Sequence, residues 1–249
     1  MKNITQAWIA LVGLTALSTL TVMADTGGNQ LGNQLTSGSQ THWYEKAADT
    51  VGAVEGVTAK GTDLALQKGS FLYLVGESTL HQYQMHAGAL KGSAVLKAKA
   101  PKDLVKALQA GDVASMALVV PVQNFKSRES GLDSNAYKAL KSDQYPEIKF
   151  DLKKETLEAG AKDGAYVMTA TGDLTIAGTT APVTLSADTT IKDGTVELKG
   201  VQKLKMSDFK VTPPSISLLV TSITCTDQIE IHYDVIFAPV GEANSEAKK

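Results

Sequence analysis

Few residues in this sequence could do chemistry, and their spacing argues against most of it. The histidines are His42, His81, His86 and His232. His81 and His86 are five apart in an alternating stretch, so on a strand they point to opposite faces and cannot share a metal ion. His232 falls on the polar side of its own alternating run. No H-E-x-x-H, C-x-x-C, P-loop or G-x-G-x-x-G pattern occurs. Gly76-Glu77-Ser78-Thr79-Leu80 begins like a nucleophile elbow but lacks the second glycine. Neither a metal nor a cofactor is therefore expected.

Cys225 is the single cysteine. It permits no internal disulfide, and its apolar, β-branched surroundings predict a buried, inert thiol. His81 shares a parity with Tyr83 and Met85, which predicts that it faces inward beside them. Such a histidine is either a hydrogen-bonded core residue or a contact to a ligand head group. A His81–Tyr83 acid–base pair acting as a lyase or isomerase on an apolar substrate is the enzymatic alternative. A lone pair of this kind is weak grounds, and the expectation is a protein that is not an enzyme.

The remaining candidates are apolar. Met85, Met116, Met168 and Met206 fall in alternating segments together with Tyr83, Phe150, Tyr166 and Tyr233. Methionine adapts to irregular apolar space and to flexible guests. The same side chains would also serve as ordinary core.

These residues need strands to position them, and strands dominate from Phe71 onward. Gln228 to Val235 alternates polar and apolar without a break, and Phe237 continues the apolar side. Ile148, Phe150 and Leu152 alternate with Glu147, Lys149 and Asp151. Asp193-Gly194 between two β-branched runs marks a tight hairpin, Asp163-Gly164 marks a second, and Ala177-Gly178 separates two further strands. Eight strands are predicted: 72–87, 91–99, 113–120, 147–156, 165–177, 181–191, 195–207 and 228–238. Two short helices are expected, Pro101 to Ala110 and Ser134 to Ser142. The fold class is all-β, eight-stranded and antiparallel with one or two short helices in its connections, which suggests an up-and-down barrel or a sandwich. Tyr83 and Met85 should face inward, with Gln82 and Gln84 in water. Ile229, Ile231, Tyr233, Val235 and Phe237 should also face inward.

The ends of the chain differ from its middle. Lys2 precedes an uncharged, almost wholly apolar run from Ala7 to Leu20, and Val22-Met23-Ala24 follows. Residues 1–24 read as a signal peptide cleaved after Ala24, since 14 residues are too few to span a bilayer. Residues 25–70 read as a polar linker or N-terminal extension, with the tandem Gly28-Asn29-Gln30-Leu31 and Gly32-Asn33-Gln34-Leu35. The barrel domain is placed at 71–239 and a solvated tail at 240–249. The net charge is −2, with acids and bases interleaved, which gives no footprint for nucleic acid. No segment is expected to span a membrane. A homodimer is left open.

Four stretches resemble one family. Gly172-Asp173-Leu174-Thr175-Ile176-Ala177-Gly178-Thr179-Thr180-Ala181-Pro182-Val183-Thr184-Leu185 is similar to the most characteristic segment of the YceI-like family. Leu140 to Phe150 resembles its helix-to-strand passage, Ser78-Thr79-Leu80-His81 a first-strand motif, and Met206 to Pro214 its late D-F-x-x-x-P-P segment. The resemblance implies a lipocalin-like barrel, bacterial secretion into the periplasm and a tunnel for a polyisoprenoid, quinone-like or other long-chain amphiphile. It implies no catalytic residues. On this reading the protein holds such a lipid for transport, storage or stress protection. The ligand-binding candidates are His81, Tyr83, Met85, Met116, Leu118, Phe150, Tyr166, Met168, Leu174, Ile176, Ile231, Tyr233 and Val235. A structural or interaction protein with a filled barrel is the alternative. Two departures stand out: the long segment before Phe71, and the unusually apolar stretch Ser215 to Thr226.

Overall fold

Alternating side chains and short turns give a closed ring of strands in the computed structural model, which describes residues 48–55, 61–98, 103–217 and 219–240. The expected signal peptide, residues 25–47 of the polar linker and residues 241–249 of the tail lie outside the described residues. The strands, in chain order, are β1 (Thr50–Gly52), β2 (Thr62–Leu66), β3 (Phe71–Ser78), β4 (Gln82–Ala87), β5 (Ala89–Leu96), β6 (Val113–Pro121), β7 (Phe125–Lys126), β8 (Glu147–Ala159), β9 (Ala165–Ile176), β10 (Thr179–Lys192), β11 (Thr195–Lys205), β12 (Ser215–Ser217) and β13 (Ser222–Pro239). Two helices interrupt them, α1 (Leu104–Gln109) and α2 (Ser130–Ala139).

Neighbouring strands pair in the order β5-β6-β8-β9-β10-β11-β13, and β13 returns to β2 and β3. β2 and β3 lie end to end along β13, and β4 and β5 lie end to end opposite them. Each couple forms one stave, so the barrel has eight staves and every pairing between neighbouring staves is antiparallel. A closed ring leaves no open edge along its wall.

The turns follow their chemistry. Asp193 and Gly194 have φ of 51° and 77°, and Ala177 and Gly178 have 48° and 77°. Two consecutive positive values make the type I′ turn whose twist matches that of paired strands. The β8–β9 connection closes on Gly164, also at positive φ.

The first stave departs from expectation. The predicted strand 72–87 is cut by a turn at residues 79–81, because the Ser78 hydroxyl accepts from the backbone N–H groups of Leu80 and His81 at 3.2 and 3.1 Å. A serine that bonds its own local backbone offers the chain a turn, which polar–apolar alternation does not reveal. The predicted boundary at residue 70 also falls inside the sheet. β2 completes the first stave, and a break at residues 67–70 separates it from β3. Ser70, fully buried, bridges that break: its hydroxyl donates to Gln67 O at 2.8 Å and accepts from Ile236 N–H at 3.0 Å. β1 pairs in parallel with Ala89–Lys91, opposite the break.

The helices also shift from their expected positions. α1 starts at the Asp103 cap, whose carboxylate accepts from Lys106 N–H. α2 begins four residues early, because Asp133 in its first turn accepts from the Ser127 N–H and hydroxyl at 2.7 and 2.6 Å and holds the entering loop. The β11 strand ends at Lys205, where a 3₁₀ turn at Met206–Phe209 begins.

The two ends of the barrel are filled differently. At one end Leu64, Leu66, Leu90, Leu96, Leu157, Val196 and Phe237 pack with Leu108 of α1 into solid core. At the other, Phe209 and Val211 pack with Ile176 beneath Ala139 and Leu140 at the end of α2.

Candidate functional site

Between these two plugs lies a cavity of about 210 Å³. It exceeds the ~150 Å³ of apolar cavities that stay dry and take up benzene. Strand parity decides its lining. β4 contributes Tyr83 and Met85, β6 Met116 and Leu118, β8 Phe150, β9 Met168, Leu174 and Ile176, and β13 Ile231, Tyr233 and Val235. These eleven are the sequence candidates that the fold brings together. Gln82 and Gln84 lie on the other face of β4, as alternation requires.

Two candidates lie elsewhere. Tyr166 packs with the core that plugs the first end and is not part of the lining. His81 is a correction. It sits in the β3–β4 turn, with its ring Nδ1 2.9 Å from Gln82 O and its Nε2 3.4 Å from Glu129. The turn at residues 79–81 ends the strand before it reaches His81, so the parity that pointed this residue inward no longer applies. The His81–Tyr83 acid–base pair loses its geometry with it.

Other lining residues were missed. Val183, Leu185 and Ala187 of β10 join the wall beside Leu72 and Leu74 of β3 and Leu198 and Leu204 of β11, and alternation in Ala181 to Ala187 was the signal that could have found the β10 residues. Leu132, Ala136, Ala139 and Leu140 bring α2 over the opening, and Phe209, Val211 and Pro214 close the same end. Those contributions come from tertiary docking and carry no strand period. Cys225 also faces the cavity, half-buried.

Aromatic rings reach the interior by lying across glycines on the neighbouring strand. Gly76 is paired with Tyr83, and a Cβ at Gly76 would stand 2.8 Å from Tyr83 Cε2. Gly200 is paired with Tyr233 and leaves 2.6 Å between its would-be Cβ and Tyr233 Cζ. Gly172 receives the Phe150 ring in the same way, at 2.7 Å. The missing side chains let large rings lie flat on the wall and keep the centre open.

The few polar atoms near the cavity are engaged. The Tyr83 hydroxyl is hydrogen-bonded with the Cys225 thiol, and burial first, then Cys225, holds the phenol well above its ordinary pKa. The Tyr233 hydroxyl donates to Ser186 O at 3.1 Å, and burial pushes it up to about 12. Both phenols are thus neutral at ordinary pH. Gln202 donates its amide to Lys203 O. Among the described residues Lys205 is the one charged side chain of the lining, exposed at the end of β11. Among the described residues no group of three or more His, Cys, Asp or Glu could hold a metal. The arrangement is suited to desolvating hydrocarbon.

A closed eight-stranded antiparallel meander around an apolar hollow defines a lipocalin-like barrel, a class that encloses small guests. Residues 74–237 match the family model described as the YceI-like domain, and the chain belongs to that family. In solved structures the same fold recurs in Burkholderia cenocepacia BcnA, at 17% identity and a TM-score of 0.51 over 67% of this chain and 95% of that one. It recurs in a polyisoprenoid binding domain from Saccharophagus degradans implicated in plant cell wall breakdown, at 10% identity and a TM-score of 0.52 over 71% and 98%. The Campylobacter jejuni YceI protein aligns at 22% identity and a TM-score of 0.40 over 59% and 80%. The comparison with curated proteins finds no match.

Proposed function

We propose that the barrel holds the hydrocarbon part of a polyisoprenoid, quinone-like or other long-chain amphiphile and carries it through an aqueous compartment. The compartment is the periplasm, reached by export on residues 1–24 with cleavage after Ala24. The observation that carries this reading is the apolar cavity of about 210 Å³, whose few polar groups are turned to protein partners or stand at its rim. Likeness of fold to a domain described as polyisoprenoid-binding supports the class of guest. So does family membership.

The energetics are adequate without a charged anchor. Ten buried methylene groups at ~0.8 kcal/mol each gain about 8 kcal/mol gross. That corresponds to roughly micromolar affinity before ordering costs. We infer binding without catalysis, since the lining is almost wholly apolar and His81, the acid–base candidate, lies in the β3–β4 turn away from it.

Native mass spectrometry of protein purified without detergent, followed by organic extraction, tests the reading. A co-purifying prenyl or acyl chain, or uptake of a fluorescent polyene fatty acid, is expected. Protein that carries no lipid and takes up neither prenyl nor acyl probes overturns it and leaves a filled structural barrel.

A further inference from the structure

The stretch between Lys210 and Asp227 contains no charged residue and forms a hairpin whose first leg lies off the strand order of the barrel. Its legs are β12 and the start of β13, paired Ser215 to Thr224, Ile216 to Ile223 and Ser217 to Ser222. Beyond them Leu219 and Val220 are 104% and 96% exposed. Ile216 is also exposed. The β3–β4 turn is bound alongside: Thr79 N–H donates to Thr224 O at 3.0 Å, and Thr224 N–H donates to the Thr79 hydroxyl at 3.2 Å. That turn adds Leu80, 65% exposed, to the same side of the barrel.

The base of this hairpin belongs to the cavity. Cys225 N–H donates to Pro214 O at 2.9 Å and closes the two legs, and both residues line the apolar hollow. The apolar prong is therefore continuous with the end of the barrel where α2 and the Met206–Phe209 turn cover the cavity.

We propose that this prong docks on a phospholipid bilayer, with Leu219 and Val220 entering the acyl boundary and Leu80 and Ile216 following at its edge. The proposal rests on the binding of an apolar guest put forward above, because a guest of that kind resides in a bilayer before a carrier takes it. Three features select the bilayer. A chargeless segment meets no desolvation penalty from ions on entering an apolar medium. Hairpin pairing satisfies part of the backbone of the two legs, which lowers what insertion leaves for headgroups and water to bond. Four aliphatic side chains are too few for a stable contact between two copies, which takes about 20–30 residues a side. A bilayer needs only a few buried aliphatic groups for reversible binding.

The test uses protein purified after expression from its full-length gene, with vesicles of phosphatidylethanolamine and phosphatidylglycerol. Leu219→Asp/Val220→Asp should weaken flotation with vesicles at least tenfold. It should leave the melting temperature and the uptake of a polyene fatty acid added from ethanol unchanged. In a separate variant, Leu219→Trp should be quenched by brominated lipid beyond the parent signal of Trp43, the tryptophan left once residues 1–24 are removed. Equal flotation of parent and double variant, or an unquenched Leu219→Trp, overturns the proposal. So does a parent dimer that the double variant splits, which would make the prong a self-contact. Vesicle binding by a parent chain that takes up no guest would instead overturn the proposed function and leave the prong standing.

Discussion

The Tyr83 ring lies across Gly76, its register partner on the adjoining strand, and the hydroxyl at its far end meets Cys225. The ring keeps that place only because position 76 has no side chain. Gly76→Ala should therefore push the phenol toward the cavity. Overpacking of this kind costs about 1–3 kcal/mol. A lowered melting temperature together with weaker polyene uptake is the expected result. Unchanged uptake would mean that the ring yields outward.

Met85 and Gln84 test which face is inside. Met85 is 2% exposed and lines the cavity, so Met85→Arg places an unpaired charge in an apolar interior. It should abolish guest uptake and lower stability by several kcal/mol. Gln84→Arg, on the outer face, should change stability by no more than about 0.5 kcal/mol and leave uptake intact. Denaturant melts and probe titrations of the two variants check both.

Ser70 substitutes for a ladder bond where the first stave breaks. Ser70→Ala removes the acceptor of Ile236 N–H and the donor to Gln67 O in a fully buried place. A loss of about 1–3 kcal/mol is expected, the cost of stranding a buried polar group. Faster amide exchange at Ile236 should accompany it.

Tyr233 gives the barrel an alkaline limit. Its phenol is raised from 10.0 to about 12 by burial, so the folded state keeps the proton longer than the unfolded chain. The associated stability is fully present below pH 10 and is lost as pH rises from 10 toward 12, at up to about 1.4 kcal/mol per pH unit. Tyr233→Phe should flatten this part of the stability curve, read by denaturant melts at several alkaline pH values.

Alternation alone carried most of the wall. Along β13 the period of two from Ile229 to Phe237 names the inward side chains, because one face of a strand must be buried and the other solvated. The Asp193-Gly194 hairpin was legible because positive φ selects those residue types. The family resemblance added the closed topology.

What the sequence by itself determined is thus local: which residues alternate, where glycine permits a turn, and that no catalytic or metal constellation is spaced to form. Tertiary structure alone decided the rest. The turn at residues 79–81 rests on Ser78 bonding its own backbone, and it carried His81 out of the barrel against its parity. β2 could be recognised as half a stave only once Ser70 and Ile236, remote in sequence, shared a hydrogen bond. The roof of the cavity comes from α2 and from Phe209 to Pro214, whose contacts join segments that no local period links. Whether the barrel is filled or hollow depends on Gly76, Gly172 and Gly200 each facing a large ring across a strand pair, and that register exists only after the ring of strands has closed.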